Sequence, residues 1–185
     1  MKTGWLRLQK LTSKNIKFNT QLNSCSIMKQ TLIDINNAYI FFCASLYLGL
    51  FWSLHFFWFP HYPTTLNLDN YFDAIIPQTT TATKFFFITI PIMAVAIVIM
   101  LITEWKTKFR WVPILWIPGL FGPVIIQQMF IEKVNDQFIA GVSDMDTLLK
   151  LLDEWMFLND LRWIILSIMW GVMMYFFIAK ARQKA

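Results

Sequence analysis

Residues 38–59 read AYIFFCASLYLGLFWSLHFFWF, and His55 is the only residue in this run that is acidic or basic. A helix needs about 20 mostly apolar residues, each rising ~1.5 Å, to cross the hydrocarbon core of a bilayer. A soluble core helix rarely lacks charge over such a length. The stretch therefore predicts a membrane-spanning helix.

Three further apolar runs follow, at residues 85–103, 111–131 and 161–179. The whole chain is 57% hydrophobic and 15% charged, with a mean hydropathy of +0.50, whereas an average soluble domain is about 25% charged. We therefore predict an all-α integral membrane four-helix bundle. Small residues at steps of four, Ser45, Gly49 and Ser53, predict a close helix–helix approach on the first span.

The third run, WVPILWIPGLFGPVIIQQMF, is the least regular of the four. Proline removes a backbone donor, and glycine loosens the helix between prolines. Its prolines and glycines are Pro113, Pro118, Gly119, Gly122 and Pro123. The pattern predicts a kink or a local break, which fits either a bent helix packed by its neighbours or a break that lines a ligand site.

Basic residues cluster beside alternate ends of the spans. They precede the first span, lie between the second and third, and follow the fourth: Lys2, Arg7, Lys10, Lys14, Lys17 and Lys29; Lys106, Lys108 and Arg110; Lys180, Arg182 and Lys184. All acidic residues except Asp34 and Glu104 fall in the other two connecting segments. Because Lys and Arg concentrate on cytoplasmic flanks, both termini are predicted to be cytoplasmic.

The net charge of +5 follows from this topology. A nucleic-acid site would need basic residues gathered on one surface with stacking aromatics, so no nucleic-acid partner is expected. Residues 1–36 are predicted to be a basic polar N-terminal tail, an organellar presequence, or in part the product of a misassigned start before Met28. Residues 37–185 are predicted to form the four-helix transmembrane domain. The predicted location is the bacterial inner membrane, with an organellar membrane as the alternative.

Polar residues recur near the predicted non-cytoplasmic ends of the third and fourth spans. Two trios have the spacing i, i+4 and i+7: Gln128, Glu132 and Asn135, and Trp155, Asn159 and Arg162. Each trio occupies one helical face. His55 lies at a comparable depth on the first span. Because ionisable groups in a membrane usually face the bundle interior, we predict a polar pocket where Glu132 and Arg162 meet.

A purely structural interpretation of the fourth span is also open. Arg162 stands close to the start of the apolar run, where its side chain could extend to the headgroups, and Asn159 could cap the helix. The caps and apolar spacing of SDMDTLLKLLDEW predict instead that this helix begins at residues 143–146. An early start argues against a capping role for Asn159.

From about residue 36 to 179, the chain resembles the anthrone-oxygenase-like family of small four-span membrane proteins. The resemblance lies in LGLFWSLHFFWFP, in YFDAIIPQTTTATKFF, in the Asn of EKVNDQF and in WMFLNDLR. The last stretch is the most specific, a W-x3-N-x2-R pattern formed by Trp155, Asn159 and Arg162. The family often has a histidine beside that Asn, where this chain has Asp160.

This resemblance implies oxidation of an apolar aromatic ketone by molecular oxygen, with no cofactor and no metal site expected. Such chemistry needs a base that makes a carbanion and donors that hold an oxyanion. The candidate residues are His55, Glu132 and Arg162 for catalysis, and Gln128, Asn135, Trp155 and Asn159 for substrate binding.

Two classes of function fit these observations. The first is a membrane enzyme or binding protein whose pocket accepts a lipophilic small molecule. The second is a non-catalytic subunit or assembly factor of a larger membrane complex, in which the polar trios are helix–helix contacts. Membrane lipids are expected partners in both, with other membrane proteins added in the second.

Overall fold

The structure, a computed structural model, describes the backbone of residues 2–184 and the side chains of residues 27–183. The chain divides into two compact units, Met1–Ala38 and Tyr39–Ala185. Most of the predicted basic tail falls on residues whose side chains lie outside the described part. A separate tail over residues 1–36 therefore stays a prediction.

The chain is helical, and no strand occurs in the part that the structure describes. The helices are α1 (Lys2–Ser53), α2 (Tyr62–Thr65), α3 (Tyr71–Glu104), α4 (Trp111–Ile126), α5 (Glu132–Ala140) and α6 (Met145–Lys184). A π-helical turn, Leu54–Trp58, continues α1, and a second, Gln127–Ile131, joins α4 to α5.

Within residues 27–183, four helical segments are long and apolar enough to cross a membrane. They are Ile27–Trp58, Tyr71–Glu104, Trp111–Ala140 and Met145–Gln183. Large apolar side chains cover the outside of the bundle, among them Phe87, which is 81% exposed, and Ile102, which is 72% exposed. The protein is an all-α, multi-pass integral membrane protein, as the sequence predicts. The cytoplasmic placement of its termini stays a prediction.

Helix α3 begins well before the apolar run at residue 85, because a threonine-rich segment continues it. The hydroxyls of Thr79 and Thr80 donate to the carbonyl of Ile76, and that of Thr81 donates to the carbonyl of Pro77. Such bonds satisfy the hydroxyl group within its own helix. Polar composition therefore does not end the helix here.

Helix α6 begins at Met145, within the range predicted from its capping residues. Asp144 caps it, since the Thr147 backbone amide donates to Asp144 Oδ1 at 2.8 Å. This bond and a second one from the Thr147 hydroxyl lower the pKa of Asp144 below its ordinary value. The cap leaves Asn159 inside the helix, so Asn159 has no capping role.

Buried apolar residues of the second unit form two clusters. The Trp116 cluster contains Tyr47, Met100, Trp116 and Phe176. The Phe138 cluster contains Tyr71, Ile131, Phe138 and Leu152. Each cluster draws residues from several helices, so the bundle has two apolar cores along its length.

Helix α4 remains helical through Pro118 and Pro123, and the predicted irregularity takes the form of the π-helical turn that follows at Gln127. Its Gly119 is buried against α6. A Cβ atom at Gly119 would lie 2.5 Å from Cγ and Sδ of Met169. The close approach predicted at Gly49 is not found, because nothing lies within 4 Å of a Cβ atom placed there.

We expect Gly119→Ala to lower the free energy of unfolding by about 1–3 kcal/mol, the usual effect of overpacking a filled interior. The matched control is Gly49→Ala, where the added methyl group meets open space and alanine favours the helix. Titration with sodium dodecyl sulfate, followed by circular dichroism, measures both. Equal midpoints for the two variants would show that Met169 moves aside without cost.

A buried ion pair joins the C-terminal ends of α3 and α6. Lys180 donates to Oε1 of Glu104, and the Thr107 hydroxyl donates to Glu104 Oε2 at 2.8 Å. The side chain of Glu104 is 3% exposed and that of Lys180 is 24% exposed. The ammonium of Lys180 also lies 4.8 Å from the centre of the Phe176 ring. The pair ties the two helices together at this end of the bundle.

Candidate functional site

A polar layer separates the two apolar clusters. Along α6, the last buried residue of the Phe138 cluster is Leu158, and the first buried residue of the Trp116 cluster is Leu166. Asn159 and Arg162 are buried between them. On the other three spans, polar residues also lie between the residues of the two clusters. They are Ser53 and His55 on the first span, the segment from Gln78 to Thr83 on the second, and Gln127 on the third. The layer is thus built from all four spans.

Both π-helical turns of the described chain lie in this layer. A π-helical turn inserts an extra residue into a helix, and such turns occur frequently at functional sites. Leu54–Trp58 contains His55, and Gln127–Ile131 begins with the residue that faces Arg162. The widened turns therefore set which polar side chains point into the layer.

Arg162 is the centre of the layer and is 7% exposed. Its Nη1 donates to Gln127 Oε1 at 2.7 Å and to Asn159 Oδ1 at 3.2 Å. The guanidinium carbon lies 4.7 Å from the centre of the Phe51 ring. Asn159 is held in turn by a bond of 2.8 Å from its Nδ2 to the carbonyl of Trp155. The burial and bonding of Arg162 do not match the alternative in which its side chain extends to the headgroups.

The Nε atom of Arg162 is buried without a hydrogen-bond partner among the described residues. The same holds for the indole nitrogen of Trp155. A buried donor without a partner is unfavourable. The layer thus holds unsatisfied donors beside its central charge.

Arg162 lines two cavities among the described side chains. The first has a volume of about 240 Å³ and is lined by Trp155, Asn159 and Arg162 among mostly apolar residues. The second has a volume of about 370 Å³ and is lined by Gln128, Glu132 and Arg162 among mostly apolar residues. Five residues line both cavities: Phe51, Thr83, Phe86, Gln127 and Arg162. The cavities are therefore neighbours that meet at Arg162.

Of the residues selected from the sequence, those lining the cavities with Arg162 are Gln128, Glu132, Trp155 and Asn159. Asn135 lines neither cavity, and its Oδ1 is buried without a hydrogen-bond partner in the described structure. All three residues of the α6 trio therefore line the cavities, whereas only Gln128 and Glu132 of the other trio do so.

The expected meeting of Glu132 and Arg162 is not found among the ion pairs of the described side chains. Gln127 takes that place. Glu132 would face Arg162 if the chain were α-helical from Gln128 onward, but the π-helical turn Gln127–Ile131 changes the rotation between successive residues. Gln127 therefore faces Arg162, and Glu132 is exposed on the wall of the larger cavity.

His55 lines neither cavity and contacts α6 instead. Its Nδ1 lies 2.7 Å from Asp160 Oδ1, and its ring stacks on Trp163 with centres 4.5 Å apart. The side chains of His55 and Asp160 are 30% and 33% exposed. Asp160 is therefore the partner of His55.

Some contacts of the candidate residues were not selected from the sequence, among them Gln127 and Phe51 beside Arg162, and Asp160 beside His55. Gln127 is adjacent to Gln128 at the end of an apolar run, so the pair of glutamines was a usable signal. Asp160 shares the polar stretch LNDLR with two selected residues. Phe51 carried no signal, because aromatic residues are frequent throughout its span.

Tyr62 lies outside the spans and borders the layer. Its hydroxyl donates to Gln78 Oε1 at 3.3 Å, and its ring centre is 6.3 Å from that of Trp155. Burial raises the pKa of the Tyr62 hydroxyl above its ordinary value. Tyr62 therefore remains a neutral donor near neutral pH.

No protein-family model, curated protein or solved structure matches this chain. The fold and the polar layer define its class, a four-span integral membrane protein with a buried charged group between two apolar cores.

Proposed function

We propose that this membrane protein binds a lipophilic small molecule in the two cavities that meet at Arg162. The observation that carries the proposal is a polar cluster of Gln127, Asn159 and Arg162 that opens on largely apolar cavities. Asn159 and Arg162 are buried, and Gln127 is partly buried. Small-molecule sites are typically concave and apolar, with a few polar groups that fix orientation. A bundle without a ligand has no evident need for unfilled space beside a buried charge.

Oxidation of an aromatic ketone, which the resemblance implies, is the finer form of this proposal. It needs a base beside the substrate. Glu132 lines the larger cavity with Arg162, whereas His55 is paired with Asp160 and lines neither cavity. These positions favour Glu132 over His55 as the base of such a reaction.

Filling the cavities tests the binding function. Thr83 lines both cavities, so Thr83→Phe is expected to reduce copurifying lipophilic molecules by about tenfold, because a phenyl ring occupies their shared wall. The control is Thr81→Phe on the same helix, since Thr81 is exposed and lines neither cavity. Purification in mild detergent, followed by mass spectrometry of the organic extract, gives the measurement.

The same preparation addresses the non-catalytic alternative. Recovery of stoichiometric protein partners without any small molecule, from wild type and both variants alike, would contradict the binding function. It would support a subunit or assembly role instead.

A further inference from the structure

Arg162 holds a positive charge inside the bundle without an acidic partner. Its hydrogen-bond acceptors, Gln127 and Asn159, are neutral amides. The ion pairs of the described side chains join other residues, His55 with Asp160 and Lys180 with Glu104. An unpaired buried charge is strongly unfavourable, so a group that supplies negative charge at this point would be bound favourably.

The protein offers no close counter-ion of its own in the described part of the layer. Glu132 is the one acidic residue lining either cavity, and it is exposed and forms no ion pair with Arg162. Asp160 follows Asn159 in sequence, but its Oδ1 is held by His55. Neither carboxylate is paired with Arg162, so the negative charge of a bound ligand would be accommodated favourably there.

We propose, on the basis of the binding function above, that the ligand is an amphiphilic oxyanion, a carboxylate or phosphate on an apolar chain, whose head binds Arg162. The guanidinium of Arg162 has an unpartnered donor for such a head group. Both described hydrogen bonds start at Nη1, and Nε has no partner. Arginine binds carboxylate and phosphate groups through two parallel N–H donors.

The cavity walls suit an apolar chain. Around the polar layer they present aliphatic and aromatic side chains: Leu50, Leu54 and Phe86 in the smaller cavity, and Ile90, Leu120 and Leu166 in the larger. Burying a methylene group against such walls is favourable. A neutral lipid could fill this space, but it would leave the charge of Arg162 uncompensated.

Competition binding to the full-length protein in phosphatidylcholine nanodiscs tests the inference. The probe is radiolabelled dodecanoic acid, measured by scintillation proximity, and the competitors are dodecanol and dodecyl phosphate. We expect an acidic competitor to displace the probe at a concentration about tenfold or more below that of dodecanol, as a charge-assisted bond requires. Preference for the carboxylate or for the phosphate identifies which oxyanion the site takes.

Arg162→Gln removes the charge and keeps a polar side chain, and we expect it to abolish the difference between acid and alcohol. The wild-type comparison stands by itself if this variant does not fold. Equal displacement by acid and alcohol in wild type would overturn the oxyanion inference and leave the binding function intact. Absence of saturable binding by all three compounds would overturn the inference, and the copurification test with Thr83→Phe would then decide the binding function separately.

Discussion

Arg162→Leu is expected to reduce binding of an acidic lipophilic ligand by about 10- to 100-fold, the effect of losing charged hydrogen bonds. Stability should respond differently. The substitution removes a buried charge with an unpartnered Nε atom, and the desolvation cost of that charge offsets the two hydrogen bonds that are lost. We therefore expect the free energy of unfolding to change by no more than about 1 kcal/mol. Ligand titration and detergent unfolding of the same preparation measure the two quantities.

Lys150→Leu is the matched control, because Lys150 is an exposed cation on the same helix. It should leave both binding and unfolding close to wild type. Equal tolerance of the two substitutions in the binding assay would mean that the charge of Arg162 is not used. A large loss of stability in Arg162→Leu alone would show that the bonds to Gln127 and Asn159 hold the bundle together.

Lys180→Met is expected to lower the free energy of unfolding by about 3 kcal/mol, because it leaves the carboxylate of Glu104 buried without its ionic partner. Glu104→Gln should lower it by about 1 kcal/mol or less. The reason is the difference in exposure: Lys180 is 24% exposed and can extend toward water, whereas Glu104 is 3% exposed and cannot. Unfolding in sodium dodecyl sulfate, followed by circular dichroism, compares the variants.

The double variant Glu104→Gln with Lys180→Met distinguishes the effect of losing the ion pair from the effect of losing the packing of Lys180 on Phe176. It removes both charges, so most of the stability should return relative to Lys180→Met alone. Equal losses in the two single variants, with no recovery in the double variant, would show that the Lys180 chain contributes through packing on Phe176 rather than through its charge.

The sequence predicted the four spans because a bilayer imposes length and composition on each segment separately. Charge-free runs such as residues 38–59 needed no knowledge of their neighbours. The start of α6 was predicted for the same reason, since Asp144 caps the helix through residues next to it in the chain. The trio of Trp155, Asn159 and Arg162 was also predicted, because it lies in uninterrupted α-helix.

The partners of Arg162 and His55 were not predicted. The prediction for Gln128 and Glu132 requires an α-helix, but the chain makes a π-helical turn at these residues. Gln127, rather than Glu132, therefore lies beside Arg162. His55 was a candidate catalytic residue because of its depth in the span, but it pairs with Asp160 and lines neither cavity. Arg162 and His55 both lie in or opposite a π-helical turn, which spacing rules for an α-helix do not describe.

The sequence by itself determined the membrane class, the number of crossings and the helical face that carries Arg162, because each depends on local composition or on short spacing within one helix. The tertiary structure decided that Arg162 is buried between two apolar cores without an acidic partner, and that cavities remain beside it. Those features depend on how the helices rotate and pack against each other, which local spacing does not specify.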